Sequence, residues 1–430
     1  MEIYSVNSSK KRTIALSGLV ALSLLAAACG SSSSTKTTSA PTTATGVTTT
    51  AASTATTAGS STTVAGSGTP TTVATSGAPT TVAGSGAPTT SAATSPSTGG
   101  SATPIDYTSL KGSLTGSGST FQKAFLDEAI ANLSKKASGL SIQYGGGGSG
   151  KGRTDLQTKL VDYAGTDGTV KAADVAKYTG GAFVYIPTVI APITMSFNVS
   201  GVDKLQLSPK TLAGIFQLTI TKWNDPAIIA ENPGVTLPAT AIVTVHRSDG
   251  SGTTQNFTQF LDLAQGKAAG GAWTLGAFQD PGVWPTGGQA GDGNGGVAQI
   301  IKTTDGAIGY VDLSDAKASG LKFASIENKA GKFVAPTLEA TSAAAEHVTV
   351  KDDLTFFLGW ADGDTSYPIA AQTWIIVYTK QDSADKAANL RGFLTYLLTE
   401  GQTLAPTIDY APLPAALVTK ALANIAKIGS

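Results

Sequence analysis

From about Asp106 onward, short runs rich in β-branched and aromatic residues alternate with helical patterns, and this alternation restricts the fold more than any other feature of the chain. The segments Leu140 to Tyr144, Tyr163 to Thr166, Phe183 to Ile186, Ile242 to His246, Ala307 to Val311 and Trp374 to Tyr378 read as strands. Phe121, Phe125, Ala129 and Leu133 fall on one helical face. Phe257, Phe260, Leu261 and Ala264 follow the i, i+3, i+4, i+7 spacing, as do Leu390, Phe393, Leu394 and Leu397, and Leu156 with Leu160 marks a further helix. Trp223 and Trp374 read as core. Strand–helix alternation predicts an α/β fold with largely parallel sheets and helices on both faces. Roughly 325 residues of it exceed what one core normally holds and predict two domains.

The preceding segment cannot build a core. Ser31 to about Thr103 is nearly all Ser, Thr, Ala, Gly and Pro, with no charge after Lys36 and no aromatic residue. Such a composition buries too little apolar surface to offset its ordering entropy. A nine-residue repeat, Thr-Thr-Val-Ala-Gly-Ser-Gly-Thr-Pro, starts at Thr62 with variants from Thr71 and Thr80. It is too short for a solenoid unit and reads as an expanded tether. As flexible coil, a segment of this length reaches roughly 50 Å. Ahead of it, Lys10, Lys11 and Arg12 precede an uncharged apolar run from Ile14 to Ala28, the pattern of an export signal. The run ends in Leu25-Ala-Ala-Ala-Cys29-Gly30, which resembles a bacterial lipobox, with Ala26 where that pattern usually has Leu. The resemblance implies a lipid on Cys29, a signal peptide over 1–28, and a lipidated tether over 29–104.

Composition narrows the chemistry. Lys+Arg and Asp+Glu both total 29, so a nucleic-acid partner is not expected, because that needs a basic face. Cys29 is the one cysteine, which excludes an internal disulfide and a cysteine-cluster metal site. Two His and two Met leave little material for other metal sites, so neither a metal nor a cofactor is expected.

Three glycine-rich turns each open a helix. They are Gly116-Ser-Gly-Ser-Thr120-Phe121, Gly145-Gly-Gly-Gly-Ser149-Gly-Lys-Gly152 and Arg247-Ser-Asp249-Gly-Ser251-Gly252-Thr253. Helix N-termini carry unpaired N–H groups and partial positive charge. Glycine lets backbone approach a ligand, and hydroxyls add donors. Together they form oxyanion cradles. Arg247 can fork onto two oxygens of a tetrahedral anion, with Asp249 holding the guanidinium. The second turn nearly matches a P-loop, but Gly152 stands where Ser or Thr must hold Mg²⁺, which argues against nucleotide hydrolysis. His246 beside Arg247 suggests a hydrolase, yet no Gly-x-Ser-x-Gly elbow accompanies it, and an enzyme is not expected.

With those segments in order, the chain resembles the PstS family, the phosphate-binding proteins of bacterial phosphate ABC transporters. The resemblance runs from about Leu114 to Pro414. It is carried by the opening glycine motif, Val161-Asp-Tyr-Ala-Gly-Thr-Asp167, Phe183-Val-Tyr-Ile-Pro-Thr-Val-Ile190, Leu212-Ala-Gly-Ile-Phe216 with Lys222-Trp-Asn-Asp225, Arg247-Ser-Asp-Gly-Ser-Gly-Thr253, Gly306-Ala-Ile-Gly-Tyr-Val311 and Tyr410-Ala-Pro-Leu-Pro414. It implies a type II periplasmic-binding-protein fold: two α/β domains, 105–191 with 367–430 and 192–366, with the ligand in the cleft between them. The implied phosphate ligands are Thr120, Phe121 through its N–H, Ser149, Asp167, Arg247, Ser251, Gly252 and Thr253, with Asp249 supporting Arg247. The implied partners are inorganic phosphate and a membrane ABC permease, at the outer face of the cell membrane. Asp167 beside an anion makes sense when the ligand has a proton to donate, as hydrogen phosphate does and sulfate at neutral pH does not. The rival readings are a binder of sulfate, molybdate or arsenate, a secreted phosphatase, and an adhesin or sensor on the same scaffold.

Overall fold

A computed structural model describes residues 105–430. Cys29, the export signal and the tether lie outside the described residues. The strands are β1 (Gly112–Gly118), β2 (Leu140–Gly147), β3 (Tyr163–Thr166), β4 (Phe183–Asn198), β5 (Gln206–Leu207), β6 (Val243–Arg247), β7 (Gln289–Gly291), β8 (Ala307–Asp312), β9 (Lys322–Phe323), β10 (Ser325–Glu327), β11 (Phe333–Val334) and β12 (Ala370–Tyr378). Nine join in one sheet of order β2-β1-β3-β12-β4-β8-β6-β7 with β9 on β4, and β11-β10-β5 form a small second sheet.

Strand β4 organises the molecule. It runs 16 residues and is buried over nearly its whole length. Its first part, Phe183 to Pro192, pairs with β12, whereas Ile193 to Asn198 pairs with β8. The sheet therefore has two wings sharing one strand: β2-β1-β3-β12 on one side and β8-β6-β7 on the other.

The α/β alternation is present, but the expectation of largely parallel sheets needs correction. The β1–β2, β1–β3, β6–β7 and β6–β8 pairs are parallel, whereas β3–β12, β12–β4 and β4–β8 in the middle are antiparallel. The chain passes between the wings through β4 and β12, which run in opposite directions, so each wing is parallel only away from the crossing. The pattern signalled β4 only as far as Ile186 because Pro187 follows it. Pro187 faces Trp374 beside a register shift between Gln372 and Trp374, where a missing N–H is tolerated.

Helix starts follow from caps. Ser251 Oγ accepts the Thr254 N–H at 3.1 Å and opens helix Gly252–Gln265. Ser208 with Pro209, Thr337 and Ser383 cap other helices the same way. The first long helix is Lys123–Ser134, so Phe121 precedes it, while Phe125, Ala129 and Leu133 hold the buried face. Helix Gly148–Gln157 carries Leu156 but ends before Leu160, which the spacing had placed on it and which is 71% exposed. Lys159, in the left-handed region, turns the chain away between them. Trp223 and Trp374 are fully buried, as their sequence context suggested.

Candidate functional site

The glycine turns lie at the carboxyl ends of parallel strands, where open α/β sheets place their ligand sites. Ser119, Thr120 and Phe121 follow β1, Ser149 follows β2, and Asp167 follows β3. Across from them, Arg247 ends β6, Ser251 to Thr253 open helix Gly252–Gln265, and Asn294 opens helix Gly293–Thr303 just after β7.

The two wings touch here. The Gly150 N–H donates to Gly250 O at 2.7 Å. The Asn256 amide donates to Asp167 O at 2.7 Å. A Cβ on Gly252 would stand 2.6 Å from Ser149 Oγ and 2.7 Å from Asp167 Cβ. A Cβ on Gly148, at φ +83°, would stand 1.9 Å from Asp249 Oδ2. Glycine at these two positions is what lets the loops of opposite wings meet.

Two buried ionisable groups, Arg247 and Asp167, share this setting, and the Arg247 charge acts on the Asp167 carboxyl. Arg247 is 1% exposed, and its guanidinium forks onto both oxygens of Asp249, with Nε to Oδ1 at 2.6 Å and Nη2 to Oδ2. The Gly293 N–H also donates to Asp249 Oδ1 at 3.1 Å, so the carboxylate is fixed from two sides. Asp167 is 2% exposed. It accepts from Ser119 Oγ at 2.5 Å and Thr373 Oγ1 at 2.6 Å on Oδ1, and from Ser149 Oγ at 3.2 Å on Oδ2. Burial pushes its carboxyl above the usual aspartate range, while the three hydroxyl bonds and the Arg247 charge pull it back. One hydroxyl on Oδ2 leaves that oxygen room for a further donor.

The residues that the resemblance implies as phosphate ligands lie in this cluster, with Asp249 beside them. Thr120 Oγ1 accepts from the Asn294 N–H at 3.1 Å and its side-chain amide at 3.2 Å. Thr253 Oγ1 accepts from Arg247 Nη1 and Asn294 Nδ2, each at 3.5 Å. Because these hydroxyls serve as acceptors toward the protein, their protons remain for something else. The Phe121 N–H donates to Ser119 Oγ at 3.1 Å, beside Asp167. The Ser149 hydroxyl is turned onto Asp167. Lys151 points elsewhere and pairs with Asp155. His246 is equally uninvolved: its ring stacks on Trp284, with Nδ1 at 3.0 Å from Arg247 O.

Four contributors escaped the sequence reading. Ser119 sits inside the first glycine motif, where only its neighbours were singled out. Thr373 lies in β12, more than 200 positions from the carboxylate it serves, with no local signal. Asn294 belongs to Asp292-Gly-Asn-Gly-Gly296, a glycine-rich helix start with the same grammar as the other three, and that likeness could have exposed it. Gln372 donates to Asn256 Oδ1 at 2.9 Å and holds that amide against Asp167 O.

A family model described as a PBP superfamily domain matches residues 35–400. The phosphate-binding protein PstS of Haemophilus influenzae is 35% identical over 312 residues, covering 71% of this chain and 90% of the relative. That of Methanocaldococcus jannaschii is 37% identical over 338 residues, covering 73% and 83%. Among solved structures, a high-affinity periplasmic phosphate-binding protein bound with phosphate superposes with TM-score 0.60 at 24% identity, covering 73% of this chain and 93% of its own. The phosphate-binding protein from Stenotrophomonas maltophilia gives 0.58 at 23%, covering 73% and 94%. These two likenesses establish the two-domain binding-protein fold, and the sequence relatives, matched over most of their length, establish that the chain belongs to the PstS family of phosphate-binding proteins.

Proposed function

We propose that the protein binds inorganic phosphate outside the cell and delivers it to a membrane ABC importer. The observation that carries this reading is the meeting of Arg247, Asp167 and the helix starts of both wings at one buried spot. The ligands are Thr120, Phe121 through its N–H, Ser149, Asp167, Arg247, Ser251, Gly252 and Thr253. Asp249 holds the Arg247 fork. The domains are 105–191 with 367–430 and 192–366, a division supported by the change of partner along β4 at Pro192. Cys29 carries the lipid that ties the tether to the membrane.

Recognition follows from donor count. Arg247 and the N–H groups supply charge-assisted bonds of roughly 1.5–3 kcal/mol each, and several exceed the ~8 kcal/mol of a micromolar complex before closure costs. Asp167 sets the selectivity. Hydrogen phosphate donates its proton to the carboxylate, whose Oδ2 has capacity left, whereas an unprotonated dianion meets a buried like charge. Such a mismatch is worth roughly a hundredfold or more. The role is binding, in keeping with the phosphate-binding relatives.

Titration calorimetry of the protein with phosphate and with sulfate tests this. One-to-one phosphate binding with sulfate at least a hundredfold weaker is expected. Equal affinities for the two anions would refute the assignment of Asp167.

A further inference from the structure

A second arginine is buried beside the site. Arg153 stands on helix Gly148–Gln157, one turn after Ser149, and is 7% exposed. Arg247 has its carboxylate, but Arg153 takes part in no ion pair among the described residues. Its guanidinium donates only to neutral oxygens: Nη1 to Thr166 Oγ1 at 2.7 Å and Gly168 O at 3.4 Å, and Nη2 to Gln279 Oε1. A buried cation with no partner anion is costly, so something has to justify its position.

The partners explain it. Thr166 and Gly168 flank Asp167, so the guanidinium grips the chain on both sides of the carboxylate. Gln279 belongs to the opposite wing, and its backbone carbonyl accepts the Ser251 N–H at 3.1 Å. Ser251 in turn caps the helix whose first residues are Gly252 and Thr253. One side chain thus ties the end of β3 to the ligand loop of the other wing.

We infer that Arg153 and Gln279 form a latch across the cleft, a positioning pair that governs how slowly a bound oxyanion leaves. The inference rests on the two-domain phosphate-binding reading above. Because the contact joins the wings, it exists only when they are together. An anion leaving the site must first wait for the latch to break, whereas an anion arriving at separated wings meets no latch. The charge reinforces the coupling. Closing the wings buries the guanidinium, and a bound anion nearby supplies the opposite charge that its direct partners lack. The latch therefore favours closure over an occupied site more than over one without an anion.

Stopped-flow binding and release of phosphate, measured on the wild-type protein and on Gln279→Ala, Arg153→Met and the double variant, tests the latch. Gln279→Ala keeps the backbone carbonyl that holds Ser251, so only the cross-wing bond is lost. Release should accelerate by roughly tenfold in Gln279→Ala, the factor expected for one hydrogen bond to a charged group, while the association rate constant stays within about twofold. The double variant should release no faster than Arg153→Met, since both remove the same bond. A purely structural role would slow association or abolish binding and would not produce this split. Should Arg153→Met fail to fold, Gln279→Ala decides alone. Release at the wild-type rate in Gln279→Ala, or an effect confined to association, overturns the latch. Wild-type protein that takes up no phosphate sinks the parent reading and the latch together, whereas wild-type binding with unaltered release in the variants sinks the latch only.

Discussion

Two aspartates at the ends of central strands are equally buried and meet different fates. Asp167 follows β3 at 2% exposure, and Asp312 ends β8 at 1%. Burial pushes both carboxyls upward. Around Asp167, three hydroxyls donate and Arg247 adds positive charge. Asp312 caps the short helix Leu313–Ala318 through Oδ1, accepting the Asp315 N–H at 3.1 Å, but its Oδ2 meets no donor. Its neighbour there is the Asp315 carboxylate, whose charge, with that of Asp167, pushes it further up, well above the ordinary range. The pair is best satisfied when Asp312 keeps a proton and offers it to Asp315. Equal burial thus leaves one carboxyl raised but held among donors and a cation, and the other raised well above the ordinary range beside a second carboxylate. Partners decide the outcome, and depth does not.

The largest test of that contrast is Asp167→Asn. The amide keeps the shape but turns an acceptor into a partial donor, so phosphate loses the group that takes its proton and sulfate loses its repulsion. Phosphate affinity should fall and the gap to sulfate should narrow by a hundredfold or so, about 2.7 kcal/mol, in paired titrations. An unchanged gap would mean that selectivity resides elsewhere.

Asp312→Asn should act in the opposite direction. Its amide preserves the cap through the side-chain oxygen and gives Asp315 a donor that needs no proton. The folded-state value of Asp312 lies above the unfolded one near 3.8, so the native state binds more protons between the two. By linkage, wild-type stability is favoured below about the ordinary value and declines as pH rises through the raised one. The asparagine variant lacks this decline. It should match or exceed the wild type by about 1–2 kcal/mol at pH 7, with the difference shrinking toward pH 4, in denaturant melts across that range. A variant less stable at every pH would show that Asp312 is ionised and paired after all.

The two aspartates also mark what the sequence could express. Asp167 was legible because it ends a strand in a motif shared with the PstS family, and Arg247, Ser251 and Thr253 because one short segment carries charge, glycine and cap together. Local grammar of this kind reports where a backbone amide or a guanidinium will point. The α/β alternation was legible for the same reason, since periodicity is a local property. The antiparallel centre was not, because pairing of β4 with β12 joins positions nearly two hundred residues apart and Pro187 hid most of β4. Thr373, Gln372 and Gln279 were invisible on the same ground: each is an ordinary polar residue whose meaning comes only from what folding brings beside it. The state of Asp312 depends on burial and on the missing donor at Oδ2, neither of which the local sequence expresses.

Thr373→Val makes the contrast continuous. It keeps the β-branched shape in β12 while removing the hydroxyl that reaches Asp167 Oδ1 at 2.6 Å. One donor fewer moves Asp167 a step toward the condition of Asp312, with burial unchanged and less hydrogen bonding to set against it. Its carboxyl should therefore hold a proton to higher pH than in the wild type, and a protonated Asp167 cannot accept the proton of phosphate. The cost of the lost bond is about 1 kcal/mol, so affinity should fall several-fold. That loss should be larger at pH 5 than at pH 8, because alkaline conditions restore the carboxylate that the missing hydroxyl helped to keep. Calorimetry at the two pH values reads the difference directly. A loss equal at both would show that Thr373 only fills space in β12 and leaves the ionisation of Asp167 to Ser119, Ser149 and Arg247.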